Sequence, residues 1–146
     1  MCGIVGYVGP KAAEDVLISG LQRLEYRGYD SAGISVISNS LTLETRKRAG
    51  KVSVLVQELQ DSPIEESHIG IGHTRWATHG APTDSNAHPH IGGTHHKLSL
   101  IHNGIIENFA SLKKELSAGG TVFTSETDSE VVAHLVAIEY DKSQDL

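Results

Sequence analysis

The only cysteine of this chain is its second residue, in the run Met1-Cys2-Gly3-Ile4-Val5-Gly6. Removal of Met1 would leave Cys2 with a thiol and a free α-amine on one residue. An α-amine has a reference pKa of roughly 7.7 to 8, so near neutrality it can take the thiol's proton directly. Nucleophile and general base would then share a residue. The plainer alternative is a small hydrophobe that opens a buried strand.

Four other places carry chemistry-bearing types. Asn103-Gly104 follows a strand-like run, and a carboxamide beside a backbone N–H makes a two-donor cradle for an anion; an ordinary turn has the same letters. Arg75-Trp76 ends another such run, where a guanidinium can grip a carboxylate with two parallel bonds or form a surface ion pair. Asp128 falls in the first turn of a helix-like segment, where a carboxylate also serves simply to cap. Arg27-Gly28-Tyr29-Asp30 reads as a turn closing the first helix. Together these supply a nucleophile with its own base, an oxyanion cradle, and a cation and an anion for a zwitterion, a set suited to acyl transfer from an amino acid.

Histidine is concentrated: His68, His73, His79, His88, His90, His95, His96 and His102 lie within one stretch. Zinc must be weighed, but there is no His-Glu-x-x-His and no cysteine pair, so the expectation is no metal, with loop structure and hydrogen bonding as the default.

The elements that must position these residues follow from spacing. Gly3 to Val8 is a buried strand broken by Gly9-Pro10; Ala12, Ala13, Val16, Leu17, Leu21 and Leu24 mark a helix over Lys11 to Leu24. Ile34 to Ile37 and Leu41 to Leu43 form a hairpin turning at Asn39-Ser40. A second helix over Val52 to Leu59 stops by Ser62-Pro63. Ile69 to Gly72 and Leu98 to Ile101 are strands separated by a loop, Thr78 to Lys97, long enough to suggest function. A helix over Phe109 to Leu116, a Thr121-Val122-Phe123 strand and a last helix opened by a Thr127-x-x-Glu130 capping box complete the reading. The hairpin argues for an α+β fold over a doubly wound one.

The chain has 146 residues, 38% hydrophobic and 21% charged, with a formal charge of −6. That length suits one domain burying about 70% of its unfolded surface. No apolar run approaches the roughly 20 residues of a membrane span, and no secretory signal is visible. One cysteine makes no internal disulfide, so the expected location is cytoplasmic. The basic cluster Arg46-Lys47-Arg48 with Lys51 is followed by Glu58, Asp61, Glu65 and Glu66, which argues against a nucleic-acid surface.

The runs Cys2 to Gly6, Leu24-Glu25-Tyr26-Arg27-Gly28-Tyr29-Asp30-Ser31-Ala32-Gly33, His73-Thr74-Arg75-Trp76-Ala77-Thr78-His79-Gly80, Asn86 to His90, His102 to Asn108 and Ser125 to Glu130 carry a resemblance. Over essentially its whole length the chain resembles the glutaminase domain, of the class II, N-terminal-cysteine type, of the glutamine:fructose-6-phosphate aminotransferase family. The resemblance implies an N-terminal-nucleophile αββα sandwich that needs no cofactor. It implies that Cys2 attacks the side-chain amide of glutamine and that Asn103 and Gly104 hold the oxyanion. Arg75 would bind the substrate carboxylate, Asp128 its ammonium, and Thr78 and His79 would add contacts from a closing loop. Arg27 would support the nucleophile's surroundings, and Trp76 would gate ammonia toward a synthase domain.

Against that family the chain reads as the N-terminal part of the glutaminase domain, C-terminally truncated, without the sugar-phosphate isomerase modules. Such a sandwich would leave sheet edges and apolar faces uncovered, so self-association or a synthase or isomerase domain on another chain is expected. The competing readings are a catalytically incomplete fragment or interaction module, and a histidine-rich metal-binding domain.

Overall fold

The structure is a computed structural model that describes residues 2–28, 30–77, 80–94 and 98–144. Its main sheet has the spatial order β1-β4-β2-β3, with β1 Gly3–Val8, β2 Ser31–Ser38, β3 Leu43–Ala49 and β4 Ser67–Arg75. All three pairings are antiparallel, with Gly3 opposite Thr74 and Gly33 opposite both His73 and Lys47. Helices α1 (Ala13–Leu24) and α2 (Val52–Asp61) cover one face.

Side chains alternate across a strand, so this register sorts them by parity. Val5, Ala32, Ile34 and Val36 point toward the helices and meet Leu17, Leu21, Val52 and Leu55 in the main apolar core. Burying one such leucine stabilises the fold by roughly 1.5–3 kcal/mol. Gly70 and Gly72 lie under Leu17 and Leu21, which lets α1 settle directly on β4. The opposite parity sends Cys2, Gly33, Lys47, His73 and Arg75 to the second face. On that face Ile4, Val8, Ile37 and Ile69 are 40–77% exposed.

On the second face lies the two-stranded antiparallel pair β5 (His90–Gly92) and β6 (Leu98–Leu100), backed by α4 (Ser129–Ser143), with α3 (Phe109–Ala118) against α4. The order helix, sheet, sheet, helix is the expected αββα arrangement. Two glycines set the spacing. A Cβ on Gly33 would stand 2.2 Å from the carbonyl oxygen of His88, and one on Gly92 would stand 2.0 Å from that of Ala133.

Several expectations need correction. Leu41 and Thr42 belong to the turn, where Leu41 N–H donates to Ser38 O and Leu41 has φ 62°. β3 starts at Leu43 and runs through the basic cluster, whose charged letters hid the strand. β4 is longer than its apolar run, and β5 sits inside the segment expected to be loop. Thr121-Val122-Phe123 is not a strand; Phe123 is held instead by the edge of His134 and by the ammonium of Lys113, 4.8 Å from its ring centre. The capping box does not form. Thr127 Oγ pairs with His90 Nε2 at 2.8 Å, while the Glu130 carboxylate accepts from the N–H groups of Thr124 and Ser125 and from both hydroxyls.

The basic cluster is spent inside the fold. Lys47 Nζ donates to the carbonyls of Ser85, Ala87 and Pro89, Arg48 pairs with Glu58 and Asp84, and Arg46 holds Ser62 and Pro63. Among the described residues no helix is long and apolar enough to cross a membrane.

Candidate active site

β1 and β4 run antiparallel, so the start of β1 and the end of β4 meet at one end of the sheet, which brings Cys2 beside Trp76. The backbone N–H of Trp76 donates to Cys2 Sγ at 3.3 Å, and the thiol lies 3.7 Å from the Trp76 carbonyl. Asp30, at the head of β2, clamps the chain after β4. Its N–H donates to Arg75 O at 3.2 Å, and its carboxylate accepts from Ala77 N–H and from Ser31 Oγ.

The segment after β6 and the first turn of α4 come to the same end. Cys2, His73, Arg75, Trp76, His88, His102, Asn103, Gly104, Thr127, Asp128 and Ser129 line one pocket of about 330 Å³, open mouth included. The tertiary fold thus gathers the sulfur, the carboxamide with its adjacent N–H, the guanidinium and the carboxylate from four separate stretches. Arg27 lies in the short 3-10 turn after α1 and is not in this lining. Thr78 and His79 lie outside the described residues.

Asp128 sits at the N-cap of α4 without capping it. Its Oδ2 accepts the Ile106 N–H at 2.6 Å, which ties the segment after Gly104 to the helix start. Arg75 is buried, lines the pocket and donates to the carbonyls of Gly80 and Ala81 at 3.1 and 3.3 Å. Asn103 and Gly104 are exposed. Gly104 is pressed against His102, whose Nε2 would stand 2.6 Å from a Cβ there.

His73 and His88 of the lining and His90 next to them lie in series, tilted and edge-on, with ring centres 4.5 and 4.4 Å apart. Burial holds all three neutral. It pushes His73 down to about 4, partly opposed by its bond to Asn103, and His90 down to about 3. His88 is pushed further still, with its two imidazole neighbours adding to the effect. Burial also brings Lys47 down to about 8, against the pull of Glu130 and Asp84. No group of three His, Cys, Asp or Glu side chains among the described residues is arranged to hold a metal.

The histidines that complete the lining were not singled out one by one from the sequence. One signal was present: His73 lies two residues before Arg75 in β4 and so shares its face. His88 and His102 had no comparable marker, because their segments are irregular.

A family model described as glutamine amidotransferase domain matches residues 60–142. The chain is 58% identical over its whole length to glutamine–fructose-6-phosphate aminotransferase [isomerizing] of Streptomyces coelicolor, and 62% identical over 96% of its length to the enzyme of that name from Leifsonia xyli. In each case it spans 23% of the relative's length. Among solved structures it resembles glutamine phosphoribosylpyrophosphate amidotransferase from B. subtilis, with TM-score 0.77 and 28% identity, covering 100% of this chain and 30% of that one. A structure described as the allosteric regulatory enzyme of purine biosynthesis matches with TM-score 0.78 and 29% identity, over 100% of this chain and 30% of that one. The αββα sandwich and these matches establish that the chain belongs to the glutamine amidotransferase domain family.

Proposed function

We propose that this pocket hydrolyses the side-chain amide of glutamine to glutamate and ammonia. With Met1 removed, the α-amine of Cys2 takes the thiol proton and the sulfur attacks the amide carbon. The resulting oxyanion is held by Asn103 Nδ2 and Gly104 N–H. The amine then returns the proton to the departing nitrogen, the C–N bond breaks, and ammonia leaves a glutamyl thioester. Water, activated by the same amine, cleaves the C–S bond and releases glutamate.

Arg75 binds the substrate α-carboxylate and Asp128 its α-ammonium, so the zwitterion is held by charge at one end while its amide lies at Cys2. Thr78 and His79 add contacts, Arg27 supports the surroundings of Cys2, and Trp76 gates the ammonia. The relatives' names support a sugar phosphate as the eventual acceptor, on an isomerase domain that follows in the same polypeptide or is carried by another chain. In this reading residues 1–146 form the N-terminal part of a glutaminase domain working in the cytoplasm, and self-association covers its exposed apolar face.

The observation that carries the proposal is one pocket lined by Cys2, Asn103, Gly104, Arg75 and Asp128. The test is glutamate release from glutamine by protein whose intact mass shows that it begins at Cys2, with Cys2→Ala as the control. Release lost in the control supports the mechanism. Release unchanged by the substitution would sink it, and well-folded protein with no release and no covalent labelling by 6-diazo-5-oxo-norleucine would favour an interaction module.

A further inference from the structure

A carboxamide can serve an oxyanion only with its NH2 turned to the pocket, and its two ends are alike in shape, so something must choose between them. In this structure Asn103 Oδ1 lies 2.7 Å from His73 Nε2. His73 is 1% exposed, and its other nitrogen, Nδ1, is buried with no hydrogen-bond partner among the described residues. Two arrangements fit that distance. Either Nε2 carries the hydrogen and donates to Oδ1, or the amide is flipped and Nδ2 donates to a bare Nε2. In the second, neutral His73 would carry its hydrogen on Nδ1, an N–H buried without an acceptor. A bare buried lone pair is tolerated far better than an orphaned buried N–H, so the first arrangement is selected.

We infer that His73 is a positioning residue: as the Nε2–H tautomer it donates to Asn103 Oδ1 and turns the Asn103 NH2 into the pocket. This rests on the reading of Asn103 as an oxyanion donor. The His88 ring packed against His73 makes no hydrogen bond to His73 Nδ1, so it does not reverse the choice. His73 also shares its strand and face with Arg75, so one rigid element sets both the amide orientation and the substrate's carboxylate anchor.

The first arm of the test needs no variant. Nitrogen-15 spectra of histidine-labelled protein between pH 6 and 8 should show His73 protonated on Nε2 and bare on Nδ1. The Nδ1–H form, or a mixture, would overturn the inference. The second arm is kinetic. His73→Leu should lower kcat for glutamine hydrolysis by ~10²-fold, the scale expected when a reacting group is misplaced by about 1 Å, with KM nearly unchanged. His73→Gln, whose amide can also donate to Oδ1, should recover much of that loss. Adding His73→Leu to Asn103→Ala should cost nothing further, because His73 acts only through Asn103. Additive losses, or no recovery with glutamine, would overturn it. If the leucine variant does not fold, the tautomer spectrum decides. Wild-type protein that hydrolyses no glutamine would refute the functional reading of the pocket, and the spectrum would still decide the orientation of Asn103.

Discussion

The backbone N–H of Trp76 donates to Cys2 Sγ at 3.3 Å, so the end of β4 holds the sulfur at the head of β1. A thiolate formed there keeps a fixed dipole as partner and stays directed into the pocket. Cys2→Ser retains a hydrogen-bonding atom at that place but is a much weaker nucleophile. It should lower glutamate release by at least ~10²-fold while leaving glutamine binding, measured by calorimetry, within a few-fold of wild type. Protein that keeps Met1, checked by intact mass, should be equally inactive, because its amine is locked in a peptide bond.

The two charged residues at the far side of the pocket should act on binding. Asp128→Asn keeps an oxygen for the Ile106 N–H and loses only the charge. Arg75→Lys keeps the charge and loses the fork that reaches Gly80 and Ala81. Hydrogen bonds to charged groups contribute about 1.5–3 kcal/mol, so each variant should raise KM by roughly 10- to 100-fold. Steady-state kinetics check this: a fall in kcat at constant KM would assign both residues to the chemical step instead.

Acid should destabilise the fold earlier than its carboxylates alone would require. His73 and His90 are held at about 4 and about 3 by burial, and His88 is likewise lowered, whereas in the unfolded chain each titrates near 6.5. The unfolded state therefore binds more protons between those values. The stability they confer is fully present above pH 6.5 and is lost as pH falls toward 4. Each imidazole adds a slope approaching ~1.4 kcal/mol per pH unit. Urea unfolding from pH 8 to 4 should show a plateau and then this fall. His88→Gln should make the fall shallower, and an unchanged slope would show that His88 is not buried neutral.

Gly33→Ala should push the two sheets apart. Its Cβ would meet the backbone oxygen of His88, which cannot rotate away, at the base of the pocket lining. A loss of ~1–3 kcal/mol is expected, with reduced activity. Gly6→Ala, on the exposed face of β1 with nothing within 4 Å of the new methyl, should change stability by less than about 0.5 kcal/mol. Denaturation midpoints compare the pair; equal effects would mean that the layers are not in tight contact at Gly33.

Much of this molecule was legible from its letters because local physics decides those parts. Apolar periodicity placed α1, α2 and α3 close to their observed bounds, and a short apolar run placed β1, although half of that strand is exposed. The chemistry-bearing types at Cys2, Arg75, Asn103-Gly104 and Asp128 could be picked out, since few side chains can act as nucleophile, anion cradle or charge anchor. What failed depended on partners far along the chain. β3 pairs although its residues are charged, because β2 offers a ladder and Arg48 and Lys47 find acidic and carbonyl partners across the layer. Thr127 and Glu130 forgo the capping box because His90 and the 124–125 backbone compete for them with better geometry.

The sequence by itself determined which groups are available, how strands and helices alternate, and which face each strand residue takes, since these follow from residue type and a period of two or 3.6. Only the tertiary structure decided that four separated stretches meet at one sheet end, that three histidines lie buried and neutral among them, and that His73 meets the Asn103 amide. Those outcomes depend on distances between residues 15 to 74 positions apart, and on the water excluded between them, neither of which any local pattern encodes.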